Sequence, residues 1–211
     1  FYSLKYIETE NNLYKIYRNQ KENIWLVISG IGNIQAASAT TFLYQQSPKS
    51  IKNIWINIGI AGHHNILPGS IFNIKKVSRK NDLSDIHYTN SVLNDKIANY
   101  EVINVEKHER EFSIKNKIYE METYGFIKIV EKFCNRELIC IIKIISDNGN
   151  KDLKEIKGLA TEVIEKNINR IQQLLLSYYK LSTHINEFNS ELLGEVKKKF
   201  NYSFTNKHKI N

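Results

Sequence analysis

Proline, cysteine and methionine are scarce in this 211-residue chain: two, two and one. Two prolines, Pro48 and Pro68, exclude a proline-rich linker or polyproline recognition segment. Two cysteines cannot build a disulfide framework. Cys134 and Cys140 also lack metal-ligand spacing, and Cys140 sits inside an apolar run, so both are expected to be reduced thiols in a cytoplasmic protein. No apolar stretch reaches the roughly 18 residues that a membrane-spanning helix needs, so no membrane partner is expected. No secretory signal is visible. Acidic residues are missing from a long segment, with no Asp or Glu between Glu22 and Asp82.

What is present is a lysine-, asparagine- and isoleucine-heavy composition with net charge +8 and 42% hydrophobic residues. That is ordinary for a globular domain and enough for one sizeable core. The basic residues are scattered, and their densest group, Lys197-Lys198-Lys199, lies near the C-terminus. No nucleic-acid-binding signature accompanies them, so a nucleic-acid partner is not expected.

Strand and helix patterns alternate. Tyr14–Arg18 and Ile24–Ser29 read as a hairpin around the polar turn 19–23. A helix is expected near Asn33–Tyr44, closed by Pro48. Asn53–Ile58, Ser70–Val77, Tyr100–Val105 and Leu138–Ile145 read as strands. Residues 78–100 are weakly patterned and read as a loop region with a short helix. Thr123–Phe133 and about Leu153–Tyr179 carry apolar residues at helical spacing. A further amphipathic stretch covers Ile185–Phe200. The expected architecture is α/β, three layers with a central twisted mixed sheet, in which Ile24–Ser29, Asn53–Ile58 and Leu138–Ile145 are central strands. The expected division is a domain over 1–179 and a helical C-terminal extension over 180–211.

Two glycine turns, Ser29-Gly30-Ile31-Gly32 and Gly59-Ile60-Ala61-Gly62, follow strand patterns. The first begins like a dinucleotide fingerprint but has Gln35 at the third glycine position, and the acidic residue that would hold a ribose falls in the acid-free segment. No Gly-Lys-Ser/Thr occurs, so a P-loop is excluded as well. A glycine turn at a helix start can instead offer backbone N–H groups to a polar ligand. His63-His64 invites a metal reading, but adjacent histidines seldom point at one ion, and neither metal nor cofactor is expected. His87 and His108 could approach a pocket through loops, and by default are taken as surface residues.

Two acidic motifs complete the set. Glu120-Met121-Glu122 is expected to open a helix, and Ser146-Asp147 closes the apolar run Leu138–Ile145. Two carboxylates at such element ends can converge on one pocket, one holding hydroxyls and one handling a proton. The four patches, in this order, resemble the nucleoside phosphorylase superfamily, and within it the methylthioadenosine/adenosylhomocysteine nucleosidases. The resemblance runs from about Ile24 to Asn150. It implies a phosphorylase/hydrolase-like fold whose glycine turns, through Ile31, Ile60, Ala61 and Gly62, line a nucleoside pocket. It further implies that Met121 packs under the ribose, that Glu122 accepts its hydroxyls, and that Glu120 lines the pocket. Asp147, beside Ser146, is implied to protonate or hydrogen-bond N7 of the purine.

Some residues depart from the pattern. Ile58 and Ile60 offer no side chain that could bind phosphate, so hydrolysis of a purine nucleoside is expected over phosphorolysis. A phosphorylase of the same superfamily and a non-catalytic nucleoside-binding protein are the alternatives. The chain opens with Phe1, and Phe1–Thr9 does not resemble the superfamily's first strand. The sequence is therefore expected to start after that strand and after the acid that activates water. A homodimer or higher homo-oligomer is the expected assembly.

Overall fold

The computed structural model describes residues 3–9, 12–90, 93 and 97–199; for residues 153, 157 and 185–199 the backbone alone is described. Two sheets form. The smaller is antiparallel, β1 (Lys5–Ile7), β2 (Ile16–Asn19) and β3 (Ile24–Val27). The larger has six strands: β4 (Trp55–Gly62), β5 (Ile71–Arg79), β6 (Asp82–Tyr88), β7 (Asn99–Asn104), β8 (Ile118–Glu120) and β9 (Ile139–Asp147). Its order is β6-β5-β7-β8-β4-β9. Parallel pairs (β4 with β9, β5 with β7, β7 with β8) mix with antiparallel ones, and the first residues of β5 also pair with β9, curling the sheet back on itself. The expectation of a mixed central sheet between helices holds.

Among the described residues four α-helices cover the sheet: α1 (Asn33–Gln46), α2 (Thr123–Val130), α3 (Leu153–Lys166) and α4 (Ile168–Lys199). β9 is buried at every position because it faces helices on both sides. Ile139, Ile141 and Ile145 join Phe126, Ile127 and Val130 of α2 and Leu43 and Tyr44 of α1. The alternate residues Cys140, Ile142 and Ile144 join Val163, Ile171, Leu174 and Tyr178 of α3 and α4. The period-2 pleat thus feeds two cores from one strand.

Three expectations are corrected. The run Ile24–Ser29 is not a central strand. Residues Ile24–Val27 pair only with β2, in the smaller sheet, and Leu26 is 43% exposed. Its apolar character comes from facing a cavity instead of a core. The region 78–100 contains β6, antiparallel to β5, and no helix is found there among the described residues. The long helix is two helices that meet at Asn167, whose side-chain amide donates to the carbonyls of Gly69 (3.0 Å) and Val163 (2.9 Å). Residues 200–211 of the expected extension lie outside the described residues.

Candidate functional site

Strands β4 and β9 run parallel, so their C-terminal ends deliver Gly59–Gly62 and Ser146-Asp147 to the same edge, where parallel α/β sheets bind ligands. The register shifts there. Ala61 opposes Ile145, but Gly62 opposes Asp147, leaving Ser146 as the extra residue of a bulge. The bulge turns Asp147 toward a cavity of about 470 Å³. Ser146 Oγ lies 3.1 Å from the Ala61 carbonyl and 2.9 Å from Asp147 Oδ2, and the Gly149 N–H donates to Asp147 Oδ1 at 2.7 Å. The carboxylate is buried and held on both oxygens.

The other acidic motif arrives from β8. Glu120 ends that strand, and the motif leads directly into α2 as expected, with Glu122 at the helix N-cap and Thr123 its first residue. Glu120 Oε2 accepts the N–H groups of Glu122 (2.9 Å) and Thr123 (2.8 Å), which are donors left free at the start of α2. The same oxygen lies 2.9 Å from Lys143 Nζ, a buried ion pair. Asn104 Nδ2 donates to Glu120 Oε1 at 2.9 Å. Asn104 and Asn33 exchange amide hydrogen bonds of 2.6 and 3.0 Å, and Asn33 Oδ1 also accepts the Gly125 N–H. Glu120 is therefore a structural anchor whose oxygens are taken by protein donors.

Glu122 is used differently. Gly32, at φ 97° in the left-handed region that suits glycine, donates its N–H to Glu122 Oε1 at 2.8 Å. The first glycine turn thus grips a carboxylate of its own chain. Burial pushes the Glu122 carboxyl above its ordinary pKa; Lys143 opposes this, and the neighbouring Glu120 adds to it. For Glu120, burial acts in the same upward direction. The Lys143 charge and the hydrogen bonds from Thr123, Asn104 and Lys143 outweigh it and hold the carboxyl below its ordinary value. Two acids two residues apart are driven in opposite directions by their surroundings, the pattern of a site that divides roles between carboxylates.

All nine residues singled out in the sequence line this one cavity: Ile31, Ile60, Ala61, Gly62, Glu120, Met121, Glu122, Ser146 and Asp147. Its apolar wall is completed by Leu26, Val27 and Ile28 of the small sheet and by Ile156, Ala160 and Ile164 of α3. Phe112 and His108 come from the segment between β7 and β8. His108 therefore lines the cavity instead of lying on the open surface. His87 is remote from it and nearly buried, its ring nitrogens 2.7 Å from Glu131 and 2.9 Å from Asp85.

Sequence reasoning missed Lys143, although a signal existed, since it is the one charged residue in the apolar run Leu138–Ile145. It fits because its partner across the parallel pair is Gly59, where a Cβ would stand only 3.0 Å from Nζ. Asn33 and Asn104 carried no such signal, being two of many asparagines brought together across 71 positions.

No protein-family model matches the sequence, and no curated protein matches it. Solved structures do match in fold, among them 5′-methylthioadenosine/S-adenosylhomocysteine nucleosidases. One from Chlamydia trachomatis bound to adenine superposes with TM-score 0.60 at 17% identity, covering 83% of this chain and 88% of that one. One from S. pneumoniae with a transition-state inhibitor gives 0.58 at 16%, covering 84% and 90%. One from Neisseria meningitidis in complex with methylthio-immucillin-A gives 0.53 at 15%, covering 70% and 78%. The chain has the fold of these nucleosidases.

Proposed function

We propose that this protein hydrolyses the N-glycosidic bond of a purine nucleoside or a related compound. The observation that carries this reading is the placement of Glu122 and Asp147 on the wall of one largely apolar cavity, each held by main-chain N–H groups of this chain. A carboxylate oxygen accepts more than one hydrogen bond, so Glu122 retains acceptor capacity for the two ribose hydroxyls. Met121 packs beneath the sugar. Asp147 gives a proton to N7 of the base as the bond from C1′ to nitrogen breaks. The bond's electron pair leaves with the base, which departs neutral; water adds at C1′ and gives up a proton to solvent, from which the Asp147 carboxylate is protonated again. Solved structures of this fold bind adenine and a transition-state inhibitor, which agrees in kind with a purine nucleoside ligand.

Water is the proposed acceptor in place of phosphate. Ile58 and Ile60 would desolvate an anion without compensating it. The cation on the cavity wall, Lys143, is already paired with Glu120. The purified protein is expected to release free base and free ribose from a purine nucleoside at a rate independent of phosphate. A rate that rises with phosphate, with ribose 1-phosphate among the products, would establish phosphorolysis instead. Binding without turnover would establish a non-catalytic nucleoside-binding protein.

The same reading places the protein in the cytoplasm as a homo-oligomer. Exposed Ile28, Ile31 and Ile34 lie around the first glycine turn, Ile34 at 84% exposure. Residues 180–211 are proposed as an extension to the nucleoside-binding unit of 1–179, since none of those described lines the cavity. Sedimentation of the purified protein tests the assembly.

A further inference from the structure

The His63-His64 pair follows directly on the second glycine turn, and the proposed reaction gives it no role. His63 is buried, and its ring closes a turn. Nδ1 accepts the main-chain N–H groups of Asn65 (3.2 Å) and Ile66 (3.1 Å). A nitrogen that accepts two N–H groups carries no proton, so the neutral ring holds its hydrogen on Nε2. That N–H is 3.1 Å from the Tyr100 hydroxyl. The closed turn presents two carbonyls, those of His63 and Ile66, and both accept the side-chain amide of Asn148, at 2.6 and 2.9 Å. Asn148 is the residue after Asp147, and the His63 N–H itself donates to the Asp147 carbonyl at 3.2 Å.

We infer that His63 is a positioning residue for Asp147, acting through the turn 63–66 and the Asn148 amide that the turn receives. The imidazole shapes the turn, the turn clamps Asn148, and the clamp sets the backbone from which the Asp147 carboxylate reaches the cavity. Only the neutral ring can do this, because a proton on Nδ1 would replace an acceptor with a donor facing two N–H groups. Burial, with the tilted His64 ring 4.4 Å away between centroids adding its charge, lowers the His63 pKa to about 4 and keeps the ring neutral. The inference rests on the proposed role of Asp147, and its test separates the two.

Three variants decide it: His63→Ala, which removes the acceptor; His63→Asn, whose side-chain oxygen can accept the same N–H groups; and Asn148→Ala, which cuts the link while leaving the imidazole in place. Each is checked for folding by circular dichroism, then compared with the unaltered protein for hydrolysis of purine nucleosides. The Asp147 carboxyl chemical shift is recorded by carbon NMR for each. His63→Ala and Asn148→Ala are expected to lower kcat on the order of ten- to a hundred-fold with KM little changed, as for displacement of a reacting group by a fraction of an ångström or more. His63→Asn is expected to recover most of that loss. The Asp147 shift should move in the two alanine variants and return in His63→Asn. If His63→Ala does not fold, Asn148→Ala and His63→Asn carry the comparison. An unmoved Asp147 shift, or equal losses in His63→Ala and His63→Asn, overturns the inference. If the unaltered protein cleaves no nucleoside, the proposed function fails, and the carboxyl shift alone then supports or overturns the positioning role.

Discussion

At the scale of single residues, the two acidic motifs separate into three tasks. Glu120 anchors α2 and pairs with Lys143; Glu122 faces the cavity; Asp147 sits on a bulge with both oxygens held. Replacing Asp147 with Asn removes the proposed proton donor and keeps the shape. kcat for nucleoside cleavage is expected to fall about 10²- to 10⁴-fold, with a smaller change in KM. Equal losses in kcat and in affinity would assign Asp147 to binding. Lys143 makes a second prediction. Lys143→Met leaves Glu120 buried without its counter-charge, which is expected to cost about 3–5 kcal/mol of stability in urea unfolding. Adding Glu120→Gln to Lys143→Met should return part of that loss. The motif residues were legible as a group, because carboxylates beside Met121 and Ser146 stand out in sequence. The Asn33–Asn104 pair was not legible, because an amide pair across 71 positions exists only after folding.

At the scale of elements, strands and helices with one dominant environment were read well. Leu138–Ile145 is apolar throughout and became the doubly covered β9; the Asn33 helix and the hairpin around the polar turn also appeared where expected. The errors share a cause. β3 is as apolar in sequence as a core strand, but its apolar atoms face a cavity. β6, Asp82–Tyr88, is a polar edge strand, and it exists because β5 offers it a free edge. The α3–α4 break falls inside a continuous apolar periodicity, and Asn167 makes it by reaching a carbonyl on a distant loop. These differences can be measured. Ile142→Ala in β9 is expected to cost about 2–5 kcal/mol, with the cavity unable to collapse between two helical layers. Leu26→Ala in β3 should cost well under that, because its side chain is partly exposed already. Similar losses for both would place β3 in the core after all.

At the scale of the whole molecule, buried polar groups make stability depend on pH. His63 has a folded pKa lowered from 6.5 to about 4, so between those values the unfolded chain binds the proton more readily. Its contribution is fully present above about pH 6.5, declines as pH falls, and is gone below about pH 4. The titratable groups packed on the ring are His64 and Tyr100. Thermal melts between pH 7 and pH 4 should show a fall in midpoint that is smaller in His63→Asn, which has nothing to titrate. An equal fall in both would remove His63 from the account. The sequence alone determined the α/β class, the strand that is buried on both faces and the residues that converge on the cavity, because periodicity and short motifs are local properties of a chain. The tertiary structure alone decided which carboxylate is anchored and which faces the cavity, that β3 belongs to a second sheet, and that His63 closes a turn beside Asp147. Each of these depends on a partner distant in sequence, and such partners meet only when burial brings their elements together.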